Sequence, residues 1–174
     1  MFGDKYYDDF VDITNTFYHQ SFSRKPEFMG WGYQWTTNKH GKERNTDTDF
    51  SFANYQEAES RLAAYERIGT KVGKILNELS PKQKAAFYQL LYYPVKGCEL
   101  LNKMVLNGQK NRWYALQHRA ATNELKKEVK VYFDSLKTVT EEYNSLLNGK
   151  WKHVMTTRQG LSLIHISEPT RRVV

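Results

Sequence analysis

Cysteine is nearly missing from this chain. Cys98 stands alone among 174 residues, so no internal disulfide and no cysteine-rich zinc site can form. Four prolines and ten glycines exclude collagen-like and low-complexity architectures. Long apolar runs are absent too. The longest, Leu90-Leu91-Tyr92-Tyr93-Pro94-Val95, falls far short of the roughly 20 residues that cross a bilayer, so no membrane partner is expected. The opening Met1-Phe2-Gly3-Asp4-Lys5 carries no apolar signal core. There is no Gly-x-Ser-x-Gly elbow, no Gly-x-Gly-x-x-Gly and no Gly-Lys-Ser/Thr loop. His19, His40, His118, His153 and His165 offer no His-x-x-x-His pair, so no helical metal site is expected.

What is present is the composition of one globular domain. Hydrophobic residues make up 40% and charged residues 26%, too apolar for a disordered chain of this length. The net charge is +7, with a sequence pI near 9.3. A basic balance fits an anionic partner only when the charges cluster. Here Lys71, Lys82, Lys96, Lys110, Lys126 and Lys137 are strewn along the chain, and Asp4, Asp8, Asp9 and Asp12 make its start acidic. Such a distribution reads as a solvated helical surface, not as a nucleic-acid interface.

The apolar periodicity is helical nearly throughout. Tyr6, Phe10, Ile13 and Phe17 step by four, three and four, one face of a helix from about residue 4 to residue 22. Arg24-Lys25-Pro26 ends it, because the residue before proline is driven out of the helical region. A connection of about thirty residues follows, long for a compact domain. It is rich in aromatics: Phe28, Trp31, Tyr33, Trp35, Phe50 and Phe52. Asn54 and Glu57 have capping-box spacing ahead of a stripe of Leu62, Tyr65, Val72, Leu76 and Leu79. Ser80-Pro81-Lys82-Gln83 opens the next helix with a serine cap, a first-turn proline and a glutamine at the third position. Ala86, Phe87, Leu90 and Leu91 are expected to face inward, and Pro94 to kink or break the helix. Cys98, Leu101, Met104 and Val105 resume the spacing, and Asn107-Gly108 reads as a stop. From residue 110 to residue 147 the pattern barely pauses. A straight helix of that length would reach about 57 Å, so one bend is expected near Asp134 or Thr138. Asn148-Gly149 closes it. The fold expected is all-α: an antiparallel bundle of four to six helices with one long aromatic loop.

The end of the chain behaves differently. Leu161-Ser162-Leu163-Ile164-His165-Ile166-Ser167-Glu168-Pro169-Thr170-Arg171 breaks the helical pattern and resembles the translation of a transposon-type sequencing adapter. Such scars are set aside in fold reasoning. The expectation is a native sequence to about Gly160, with residues 161–174 an artefactual disordered tail.

Few residues invite a chemical role. Asp8 and Asp12 share a helix face, as an acid–base pair would, yet acidic residues in a first turn also suit the helix dipole. Glu141 and Glu142 read as solvent-facing charges. Cys98 lies on an apolar face and reads as a small core residue. Trp31, Tyr33 and Trp35 alternate as sugar-stacking rings do, or as rings that dock the loop on a neighbouring domain. They are the candidate glycan or domain contacts.

Four stretches, in order, carry a resemblance. They are Arg24-Lys25-Pro26-Glu27, Tyr92-Tyr93-Pro94-Val95-Lys96-Gly97, Gln109-Lys110-Asn111-Arg112-Trp113-Tyr114-Ala115, and the run from Tyr143-Asn144-Ser145 through Gly149-Lys150-Trp151-Lys152-His153. Together they resemble the helical region of glycoside hydrolase family 115, the xylan α-1,2-glucuronidases, over residues 2–155. Val154 departs mildly from the methionine that the family carries after the histidine.

The resemblance implies a fragment of a larger hydrolase that removes (4-O-methyl)glucuronic acid from glucuronoxylan. Residues 1–23 would trail from a catalytic barrel, 24–53 form the aromatic loop, 54–155 the helical bundle and 156–160 a linker. The catalytic carboxylates of such enzymes lie in the barrel, so none is assigned here, and the fragment alone is expected to be inactive. The parent would be inverting, with one carboxylic acid and one carboxylate base. No cofactor is implied. The expected partners are the barrel and a β-rich domain of the same chain, with a homodimer possible, and a polysaccharide substrate implies an exported parent. With its barrel missing, the loop at 24–53 is expected to be poorly anchored. A stand-alone helical glycan-binding module using Trp31, Tyr33 and Trp35 is the alternative.

Overall fold

The computed structural model describes residues 2–29 and 47–155. A 3₁₀ turn, Asp4–Tyr6, leads into α1 (Tyr7–Ser23), and a second 3₁₀ turn spans Pro26–Phe28. Then come α2 (Glu57–Glu78), α3 (Pro81–Phe87), a π-helical turn (Tyr88–Tyr92), α4 (Tyr93–Leu116) and α5 (Thr122–Gly149). The fold is all-α, with no strand among the described residues.

The rods run antiparallel, each packed on the next. Lys5 pairs with Glu78 while Asp12 pairs with Arg67, which sets α1 against α2. Glu66 reaches Lys103 and Glu59 reaches Lys110, which sets α2 against α4. Met104 meets Val129, and Tyr93 meets Thr140, which sets α4 against α5. The first core joins Tyr6 and Ile13 to Tyr65, Ile68, Val72, Phe87 and Val95. Phe2 and Phe10 close its end edge-on and stacked against Phe87.

Local signals place most helix ends. α1 stops at Ser23, ahead of Arg24-Lys25-Pro26. At α3, Ser80 is the N-cap, Pro81 follows, and the Gln83 side chain accepts from the Ser80 amide at 3.3 Å. The entry to α2 departs from the expected cap. Asn54 does not cap it. Ser51 Oγ instead accepts from the amides of Ala53 and Asn54, and Glu57 reaches back to the Ser51 amide at 3.0 Å. The helix starts after Tyr55 and Gln56, both in the left-handed region.

Pro94 does not break its helix. The rod passes through it by widening one turn, so that the Tyr93 amide donates to the Tyr88 carbonyl five residues back. A proline lacks the amide and crowds the carbonyl four residues before it, and a π turn relieves both. The extra residue re-phases the face. Leu90, expected inside, is 66% exposed, and Tyr88 is buried in its place.

The long pattern from residue 110 also divides differently. The helix does not stop at Asn107-Gly108, since α4 runs through them to Leu116, and the pattern breaks at residues 117–121 rather than bending near Asp134 or Thr138. His118 is left-handed, its amide donates to the Ala115 carbonyl and the Arg119 amide to Tyr114, both at 3.0 Å. This is a Schellman stop with histidine where glycine is usual. Regular helix in α5 ends by Ser145, since Leu146, Leu147 and Asn148 leave helical angles.

Candidate functional site

Trp31, Tyr33 and Trp35 lie outside the described residues, as does the tail from residue 161. The described flanks of the connection are well anchored, contrary to the loose attachment expected of a loop without its barrel. Met29 is buried against Ala58 and Leu106, with Phe50, Phe52 and Leu62 around them. Gln109 clasps Thr48 on both sides: it accepts from the Thr48 amide at 2.9 Å and donates to its carbonyl at 3.0 Å. Arg112 pairs with Asp47, and Phe52 stacks on Trp113.

Beneath these flanks sits Arg61, 2% exposed, on the apolar face of α2 between Ala58 and Tyr65. Its guanidinium is spent on neutral acceptors. Nε donates to Asn102 Oδ1 at 2.7 Å, Nη1 to the Gln20 carbonyl at 2.8 Å, and Nη2 to the Arg24 carbonyl at 2.8 Å. It thereby caps the C-terminal carbonyls of α1, the end where a helix favours a cation. Phe50 and Tyr65 face its charge at 4.8 and 5.3 Å. Burial pushes its pKa down from the usual guanidinium range. Asn102 completes the link by donating to the Cys98 carbonyl at 2.7 Å. One arginine thus ties α1, α2 and α4 together below the loop.

Above Arg61 opens a cleft of about 480 Å³ between the end of α1, residues 48–50 and the first turn of α2. Gln20, Ser23, Arg24, Asp49, Phe50, Glu57 and Ser60 line it together with Thr48 and Arg61. Sequence reasoning passed over this group. One signal was available, because Ala58, Arg61, Tyr65, Ile68 and Val72 step by three, four, three and four. An arginine on such a stripe must be buried and partnered.

A second buried charge lies further along α4. Glu99, 2% exposed, accepts from Lys96 at 2.7 Å and from Lys103 at 2.8 Å. Burial opposes the charge on Lys103, but its bonds to Glu99 and Glu66 outweigh that and raise its pKa. Tyr88, in the π turn, donates to Glu142 at 2.6 Å and to the Val139 carbonyl at 3.0 Å, and burial pushes its pKa well up.

The carboxylates of α1 serve packing. Asp12 takes Arg67 and Lys71, and Asp9 takes Lys71 at 2.9 Å. Hydrogen bonds from Arg67 and Lys71 hold the Asp12 pKa at about 2, so it stays ionised at neutral pH and has no proton to donate. Cys98 is half-buried beside the first core. Among the described residues, no three His, Cys, Asp or Glu side chains gather as metal ligands do. None of the described helices is long and apolar enough to cross a membrane.

No protein-family model and no curated protein matches the chain. Among solved structures the fold is similar to part of BtGH115A, a family GH115 4-O-methyl-α-glucuronidase with specificity for decorated arabinogalactans. The TM-score is 0.65 and the sequence identity 23%, over 95% of this chain. The chain spans only 20% of that enzyme's length.

Proposed function

We propose that this chain is the helical, non-catalytic part of a glycoside hydrolase of the GH115 kind. In this reading the whole enzyme removes (4-O-methyl)glucuronic acid from a plant polysaccharide such as glucuronoxylan, by acid–base hydrolysis on a barrel outside these residues. The helical bundle supports that barrel. The observation that carries the reading is the likeness of fold along 95% of the chain to one fifth of a solved glucuronidase. The ordered stretches around Arg24, Tyr92, Gln109 and Tyr143 add to it. So do the site chemistries: Arg61 and Tyr88 spend their polar groups on holding helices together, and Glu99 spends its own on Lys96 and Lys103 of its helix.

A surface feature supports the same reading. Tyr7, Val11, Tyr18 and Phe22 are all exposed on α1. At 100° per residue they fall within about 60° of one another. A stripe of large exposed side chains on one helix is a face made to be covered. In this reading its cover is another domain of the same polypeptide.

The test is to recover the gene on both sides of the region encoding these residues, express the extended protein, and assay it on glucuronoxylan and on a glucuronylated arabinogalactan. Release of (4-O-methyl)glucuronic acid by the extended protein, and none by the 174-residue chain, is the expected result. An extended protein that releases no uronic acid from either polysaccharide overturns the reading.

A further inference from the structure

The cleft above Arg61 has the size of a ligand site. Its volume of about 480 Å³ lies within the roughly 300–1,000 Å³ that small-molecule pockets occupy. Its charges cancel: Arg24 and Arg61 stand against Asp49 and Glu57. Arg61 is already committed to Asn102, Gln20 and Arg24, so it acts as a floor and not as an anion receptor. Lacking net charge, the cleft gives a polyanion or a cation no long-range pull.

What it does offer is short-range and directional. Asp49 is exposed and has no ion pair among the described residues. Glu57 uses one oxygen, Oε2, on the Ser51 amide. Glu57, Ser60 and Gln20 line the same cleft, Gln20 with its Oε1 already accepting from Arg61 at 3.3 Å. Phe50, which lies over the Arg61 guanidinium, adds an aromatic surface to the lining. Carboxylates that accept from neighbouring hydroxyls, beside an aromatic ring that packs on C–H groups, suit a pyranose better than any charged ligand.

We propose that this cleft binds a neutral oligosaccharide, with Asp49 and Glu57 accepting hydrogen bonds from its hydroxyls and Phe50 packing on a sugar face. The site belongs to the bundle itself and needs no catalytic group. It depends on the glycosidase reading only for the choice of probes.

The experiment is amide-resolved NMR titration of the 174-residue chain with xylohexaose, with a neutral galacto-oligosaccharide and with free glucuronic acid. A neutral oligosaccharide is expected to shift the amides of Ser23, Asp49, Phe50, Glu57 and Ser60 with millimolar affinity. Asp49→Asn, at an exposed position that leaves the helices intact by circular dichroism, is expected to weaken it about fivefold, the effect of one lost hydrogen bond. Absence of shifts with both neutral sugars overturns the proposal. So do shifts away from the cleft, equal binding by Asp49→Asn, or tighter binding of glucuronic acid. Binding of the galacto-oligosaccharide but not xylohexaose supports the cleft and counts against xylan as the substrate. An active extended enzyme whose bundle binds neither neutral sugar sinks the cleft alone.

Discussion

At the scale of single residues, charge in this protein is structural wherever it is paired. Arg61 is buried without a carboxylate among the described residues. Its stability comes from carbonyls at the end of α1, which carry the negative end of the helix dipole. Asp12 is the opposite case, a partly exposed carboxylate between two cations. Its partners respond in kind: the bond to Asp12 raises the pKa of Arg67 and that of Lys71. Asp12 is held at about 2 against an ordinary 3.8, so the folded protein takes up its proton later than the unfolded chain. Its contribution is therefore complete above pH 3.8 and is lost as pH falls towards 2. A third of its side chain faces water, so screening leaves about 0.5 kcal/mol. Urea unfolding between pH 5 and pH 2 checks this, the pH range being set by those two values. The Asp12→Asn variant is expected to lose less stability across that range than the parent, with a smaller difference in high salt. Parallel acid profiles for the two proteins would show that Asp12 is not held low.

At the scale of elements, the α2–α4 contact turns on a residue with no side chain. A Cβ at Gly69 would stand 1.9 Å from Glu99 Oε2, inside the carboxylate that Lys96 and Lys103 hold. Gly73, one turn on along the same helix, has nothing within 4 Å of such a Cβ. Alanine is the better helix former by about 1 kcal/mol. Gly73→Ala is accordingly expected to stabilise the protein by up to that amount. Gly69→Ala is expected to destabilise it by about 2 kcal/mol, because overpacking and a displaced buried carboxylate outweigh the gain. Thermal or chemical unfolding of the two variants decides the matter, and shifts of the same sign would show that Glu99 yields without cost.

The same scale shows what the sequence made legible. Faces built from aliphatic and aromatic steps, such as Tyr6 to Phe17 and Leu62 to Leu79, are local and were readable. So was the cap at Ser80. The π turn was not, because its cause, Pro94, signals a disturbance without saying whether the helix breaks or widens. The stop at His118 was hidden for a related reason: its left-handed residue is not glycine, and the apolar pattern runs on through it. The cleft was least legible of all. It joins Gln20, Asp49 and Glu57 from three separate segments, and only the fold of the loop flanks brings them together.

At the scale of the whole molecule, the bundle is packed inside and uncovered along one face of α1. Its interior is packed: α1 lies on α2, α2 on α4 and α4 on α5, and the buried charges of Arg61 and Glu99 are partnered. Phe22 is 92% exposed and Tyr18 66%, on the face of α1 that points away from α2. Each large ring buried there would add roughly 1.5–3 kcal/mol to an interface, a strong reason for such a stripe to be covered. Membrane binding is a poor fit, since interfacial helices flank their apolar face with Lys and Arg, and here Asp4 and Asp8 adjoin it. A neighbouring domain fits, and it can be detected independently of any activity. Hydroxyl-radical footprinting of the 174-residue chain and of the extended protein compares the same rings in both. Tyr7, Tyr18 and Phe22 are expected to be oxidised readily in the short chain and protected several-fold in the long one. Tyr55, also exposed but off that face, acts as the internal reference and should change little. Equal oxidation of the stripe in both proteins would show that no domain of the polypeptide covers α1, and the supporting role proposed for the bundle would fall even if the extended enzyme were active.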